Sequence, residues 1–210
     1  GVWLRAARGC WLAADLDWAA DFYRRAANSI LLDAQQDGRR QGIYAPIAMH
    51  VLGAAWMAND RELLDQVGST IDESCKTLIQ NVDLTPEPLF NATLHLTRIR
   101  VAWFLGRGDI LQKTIPDLDR AVRALDRWGQ WYWEGERDTH THTVVKALLD
   151  RKADAVKAAL VKYDEYLVEQ RGASPTISEL VDEEFISFAS TAQDLGIVLP
   201  KFGTTLLPVR

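Results

Sequence analysis

An all-α fold follows from two features of this chain. Apolar residues recur at three- and four-residue spacing, whereas few segments alternate with period two. Proline and glycine cut that pattern at intervals that leave room for pairs of helices. Together these features predict about nine helices stacked as antiparallel hairpins, either a TPR- or HEAT-like α-α array or a compact helical bundle, with a short extended C-terminal tail.

The elements follow in order. "WLAADLDWAADFYRRAANSILLDAQ" places Trp11, Trp18, Phe22, Ala26 and Ile30 near one face, and "QQDGRRQGIYAP" breaks the pattern. "PIAMHVLGAAWMA" and "DRELLDQVGSTIDESCKTLIQ" form a second pair, closed by "NVDLTPEP". The third pair reads "PLFNATLHLTRIRVAWFL" and "DILQKTIPDLDRAVRALDRW". Pro116 is expected to kink the latter helix or mark its true start, since a missing N–H is harmless only in a first turn. The fourth pair is "THTVVKALLD" and "KADAVKAALVKYDEYLVEQ", with Asp138 or Thr139 as N-cap. A ninth helix, "TISELVDEEFISFASTAQDLG", has a capping signature at Ser178 and a C′ glycine at Gly196. The tail "IVLPKFGTTLLPVR" is too broken by proline for helix.

A degenerate repeat supports the division. "CWLAADLDWA", "AWMANDRELL", "AWFLGRGDIL" and "ALLDRKADAV" share a large apolar residue, a short polar turn with Asp, and a new helix. Trp11, Trp56 and Trp103 lie 45 and 47 residues apart, and Leu148 continues the spacing. That period suits a two-helix unit. The recurrent Asp is expected to accept the free N–H groups of each new helix, and the tryptophans to fill seams between hairpins.

Length and composition bound the function classes. A chain of 210 residues, 48% hydrophobic and 25% charged, suits one globular all-helical domain spanning 1–210. It opens on Gly1, Val2 and Trp3 inside a helical pattern, so an upstream segment of the full protein is expected. The net charge of −5 argues against nucleic acid as partner, because phosphate binding relies on clustered cations. Arg98, Arg100, Arg107, Lys113, Arg120, Arg123 and Arg127 do cluster, but Asp109, Asp117, Asp119 and Asp126 are interspersed among them. Cys10 and Cys75 are too few for a disulfide framework, and there is neither a membrane-length apolar run nor a signal peptide, so a reduced cytoplasmic protein is expected.

Chemistry-bearing candidates are few. His140 and His142 would share a zinc only on an extended segment; on a helix they point about 200° apart. A helix there would pair Asp138 with His142. There is no GxSxG, and "GRG" at 106–108 lacks the Lys-Ser/Thr of a phosphate loop. Asp182, Glu183 and Glu184 beside Phe185 and Phe188 read as the solvated face of the ninth helix. No catalytic, metal or cofactor set emerges, and a non-enzymatic protein is expected.

The stretch "WYWEGERDTHTH" is the strongest candidate for recognition. Trp131, Tyr132 and Trp133 with Glu134, Glu136, Arg137 and Asp138 mix exposed aromatics with charge, the composition of interface hot spots. The equal alternative packs Trp128 and Trp131 under the loop. An acidic run there, with Asp182–Glu184, favours a partner with a basic surface.

The C-terminal half resembles the Immunity 49 family of bacterial polymorphic-toxin immunity proteins. The resemblance lies in a His/Thr-rich helix start, "ALLDRKADAVKAALVKYDEYL", a polar break, and "LVDEEFISFASTAQDLGIVLP"; "WLAADLDWAADFYRRAA" is similar to their first hairpin. It implies a non-enzymatic protein that binds and blocks a cognate toxin in the producing cell, and it carries over no residue roles. Two alternatives come from other classes: a helical-repeat scaffold for an endogenous protein or peptide, and a metal-dependent helical enzyme built on His140 and His142.

Overall fold

The computed structural model describes residues 2–36, 46–81, 88–126, 136–171, 175–176 and 180–203. Among the described residues there are nine α-helices and no strand: α1 Val2–Leu12, α2 Leu16–Gln36, α3 Pro46–Met57, α4 Arg61–Asn81, α5 Pro88–Phe104, α6 Gly108–Asp126, α7 Glu136–Asp150, α8 Ala153–Glu169 and α9 Glu183–Asp194. The all-α fold read from the apolar spacing is the fold found. The chain falls into two compact units, Gly1–Tyr23 with Glu134–Arg210, and Arg24–Trp133.

The same packing rule operates inside each unit. In the Arg24–Trp133 unit α3 lies against both α4 and α5, α4 lies against α5, and α5 against α6. In the other unit α7 lies against α8 and α9, and α8 against α9. The α3–α4 hairpin therefore buries apolar stripes both within itself and on α5, and the α7–α8 hairpin does the same on α9. Leu52, Ile71, Leu94, Leu96, Ile99 and Leu118 are fully buried in one unit, and Leu160, Tyr163, Phe185 and Phe188 in the other. Gly68 on α4 lets Leu105 approach closely, for a Cβ there would lie 2.8 Å from Leu105 Cδ1.

The repeat has a backbone cause. Ala14, Asn59, Gly106, Arg151 and Gly196 all adopt positive φ, 45, 47, 45 and 45 positions apart. Each follows a helix and folds the chain back over its end. At Gly196 the N–H donates to the Gln193 carbonyl at 2.8 Å and the Ile197 N–H to the Ala192 carbonyl at 3.0 Å. Gly106 and Ala14 do the same, with Arg107 donating to Ala102 at 2.8 Å and Asp15 to Cys10 at 2.9 Å. This is the left-handed Schellman termination, which satisfies the last carbonyls of a helix. Gly196 is the C′ glycine that the sequence predicts.

The caps that follow are only half as predicted. Asp15 Oδ1 accepts from the Trp18 N–H at 3.4 Å, and Asp60 Oδ1 from the Leu63 N–H at 3.1 Å. In the next two repeats Asp109 and Asp154 sit inside the first turn instead, and the N-cap Lys152 makes no side-chain cap. Carboxylates there still favour the positive end of the helix dipole, without the geometry of a cap.

Four further expectations need correction. Helix α6 runs unbroken through Pro116, so the proline does not mark its start. Asp138 and Thr139 lie inside α7, which begins at Glu136, rather than capping it. The ninth helix begins at Glu183, after non-helical Val181 and Asp182; its N-cap is Asp182, whose side chain accepts from the Phe185 N–H. Ser178 lies outside the described residues. Finally, the core face of α2 carries Ala19, Tyr23, Ala26, Ala27 and Leu31, and Trp18 is turned outward. Trp11, Trp56 and Trp103 are each half-buried, and Trp56 lies 6.2 Å from Phe104 of the following hairpin.

Candidate functional site

Of the predicted recognition residues, Trp131, Tyr132, Trp133 and Glu134 lie outside the described residues. Glu136 opens α7, with its side chain outside the description. Arg137 and Asp138 follow on the first turn, both half-buried. His140 and His142 lie on the same helix, so they do not share a face. The imidazole of His140 stacks on Tyr163, with centroids 5.5 Å apart and planes 7° from parallel, and lies 5.2 Å from Tyr166. Among the described residues no group of three His, Cys, Asp or Glu side chains converges to hold a metal.

The acidic triplet is where the sequence reading is overturned. Glu183 is 5% exposed and Glu184 1%, so neither belongs to a solvated face. Arg8 of α1 donates from Nε and Nη2 to the two oxygens of Glu183, each at 2.7 Å. Tyr23 donates to the same carboxylate at 3.2 Å. Glu184 accepts from the hydroxyls of Tyr163 at 3.0 Å and Thr141 at 3.1 Å. Arg137 donates to Asp182 Oδ2 at 2.7 Å and reaches Glu184 at 3.5 Å. Four helices thus converge on the first turn of α9, within the unit that contains all of them.

The electrostatics explain why these charges tolerate burial. Burial alone would lower the Arg8 pKa, but its paired hydrogen bonds to Glu183 outweigh that and raise it above the ordinary value. Burial is likewise overcome at Arg137, where Asp182, Tyr163 and Glu184 raise the pKa. The Tyr23 phenol is driven well up, first by burial and then by the Glu183 charge, although Arg8 pulls it down. The Tyr23 hydroxyl therefore stays a protonated donor at neutral pH. Both oxygens of Glu183 and Oε2 of Glu184 accept from protein donors. Chemically, the arrangement is a clamp: it orders the start of α9 and joins it to α1, α7 and α8.

Sequence reasoning missed Arg8, Tyr23, Thr141 and Tyr163, yet a signal was present. Glu184 precedes Phe188 by one helical turn, and Arg8 follows Leu4 by one turn. A lone charge on an apolar stripe marks a buried ion pair, not a solvated face.

The solvent side of the same unit is different. Trp3, Phe22 and Trp18 form a ladder of near-parallel rings, with Phe22 5.9 Å from Trp3 and 5.5 Å from Trp18 at interplanar angles of 22° and 29°. Trp18 is 56% exposed and Trp3 39%. Leu12 and Leu16 of the same two helices are also exposed. Large aromatics at a surface, in a patch with other apolar groups, are the signature of an interaction site.

The chain matches no protein-family model, no curated protein and no solved structure. The likeness to the Immunity 49 family therefore rests on the sequence pattern quoted above. No described helix is long and apolar enough to cross a membrane.

Proposed function

We propose that this protein is a binding protein without catalytic activity, an immunity protein that engages and neutralises a cognate bacterial toxin in the cytoplasm of the cell that makes both. One observation carries the reading: Glu183 and Glu184 are buried and clamped by Arg8 and Arg137, while Trp3 and Trp18 are left exposed at the surface. Such a surface suits recognition of a basic protein. The contact stretch Trp131–Asp138 remains part of the proposal, with Arg137 turned inward and Asp138 at its edge.

A second reading is favoured by the packing inside each unit, in which the α3–α4 hairpin rests on α5 and the α7–α8 hairpin on α9. Arrays built this way present elongated faces to peptides, so a scaffold for an endogenous partner is the alternative. Expressing each neighbouring reading frame in a test host, with and without this chain, separates the two. A frame that stops growth alone and permits it alongside this protein supports immunity. Rescue that fails at good expression, or no toxic neighbour, removes immunity and leaves the scaffold.

A further inference from the structure

The left-handed turn at Gly196 differs from the four before it. After Ala14, Asn59, Gly106 and Arg151 the next helix starts two positions on, whereas Gly196 leads into Ile197–Gly203, which is neither helix nor strand. Ile197 is buried, Val198, Pro200 and Lys201 face solvent, and the segment is anchored again at its far end. There the Phe202 ring packs edge-on against Phe185 of α9, with centroids 5.0 Å apart and planes at 86°. The Gly203 N–H donates to Asp164 Oδ2 of α8 at 2.8 Å, and Arg171 Nη1 donates to the Gly203 carbonyl at 3.0 Å. Glycine suits this approach, since a Cβ there would meet Val168 Cγ2 at 2.9 Å.

Both anchors adjoin the buried clamp. Phe185 is fully buried and meets two rings edge-on, Phe202 of the segment and Tyr163 of α8, the latter at 5.7 Å. Tyr163 donates to Glu184, and the Phe185 N–H donates to Asp182, which also accepts from Arg137. Asp164 follows Tyr163 in the chain and is itself buried. We propose that Ile197–Gly203 is a releasable latch whose opening loosens the clamp on the first turn of α9, and with it the tie from Glu183 to Arg8 of α1. The segment is suited to open, because its middle faces solvent and is not helical. Opening uncovers an edge of Phe185 and takes a donor from a buried carboxylate. Both costs fall beside the groups that hold Glu184. Latch and clamp are therefore coupled, and the coupling acts equally in both directions. This device is independent of what the chain binds.

The test follows amide hydrogen exchange in the whole chain by NMR. Phe202→Ala should speed exchange at Gly203 and, by about fivefold or more, at Phe185 and Ile186 in the first turn of α9, while Ile99 of α5 keeps its rate. In the reverse direction, Tyr163→Phe removes a donor to Glu184 from outside the segment and should speed exchange at Gly203. Lys201→Ala, in the exposed middle, should change neither. If Phe202→Ala does not fold, Gly203→Pro removes the N–H given to Asp164 and should speed Phe185 and Ile186 in the same way. Faster exchange at Gly203 with no change at Phe185 and Ile186 overturns the proposal, for the segment then opens alone. Equal acceleration at Ile99 overturns it too, since the substitution then weakens the whole fold. An unchanged Gly203 in Tyr163→Phe removes the coupling.

Discussion

Arg8 shows at the scale of one residue how a charge survives in an apolar interior. Its two hydrogen bonds to Glu183 are short and parallel, and the pair is nearly sealed from water. Breaking such a pair strands the other charge, which costs about 3–5 kcal/mol, far more than the pair contributes relative to an apolar replacement. Arg8→Ala is therefore expected to lower stability by that amount in urea unfolding. The double variant Arg8→Met, Glu183→Leu should recover most of the loss, and a double variant no better than the single one would contradict the clamp. The left-handed turns give a second prediction. Ala14 and Arg151 hold φ of 60° and 53°. A Cβ is disfavoured there by about 1–2 kcal/mol, partly offset by the greater chain entropy of glycine. Ala14→Gly and Arg151→Gly should each raise stability by about 0.5–1 kcal/mol, checked by thermal unfolding. Gly196→Ala should have the opposite sign.

The helix α5 shows how an element carries pH dependence. His95 is buried on it, and burial together with Arg98 and Arg120 lowers its pKa below the ordinary value, against the pull of Asp117. The unfolded chain then binds the proton at higher pH than the folded chain does. Its contribution to stability is complete above about pH 6.5 and is lost as pH falls through the folded pKa. Asp72 on α4 acts at lower pH. Burial pushes its pKa up, but hydrogen bonds from Lys76 and Arg98 outweigh this and hold it low, so that contribution is lost below about pH 3.9. Amide protection in α4 and α5 should fall in two stages on acidification, and His95→Leu should remove the first stage. An unchanged first stage would exclude His95 as its source.

Elements were also where the sequence was most and least legible. The hairpin period was readable because a Schellman turn is a local device: the residues of "AWFLGRGDIL" that end one helix and start the next are contiguous. The acidic start of α9 was legible only as a charge on an apolar stripe, because its partner Arg8 lies 175 positions away and only the folded unit joins them. A run of three acids then looks like solvated surface. The recognition stretch stands between these cases. Its composition suggested a hot spot, yet Arg137 reaches inward to Asp182, a contact that no local pattern encodes. The sequence put Trp18 and Phe22 on one face with Ala26, whereas Trp18 is exposed and Ala26 buried. On α2 the row of Trp18 and Phe22 lies next to the buried stripe of Ala19, Tyr23 and Ala26, and apolar spacing alone does not choose between two neighbouring rows.

Across the whole molecule, burial orders a helical scaffold, and the proposed function lies in what that scaffold exposes. A toxin neutralised by binding is silenced one molecule at a time, whereas a catalyst turns over. The most direct measurement is a titration of this protein into a fixed amount of a neighbouring-frame toxin whose effect on growth it is shown to relieve, reading residual toxin activity after a short and a long incubation. The account predicts an end point near one chain per toxin, or a fixed small ratio, that does not move with time. Complete inactivation by a small fraction of an equivalent, progressing with time, would contradict it and make this protein an enzyme.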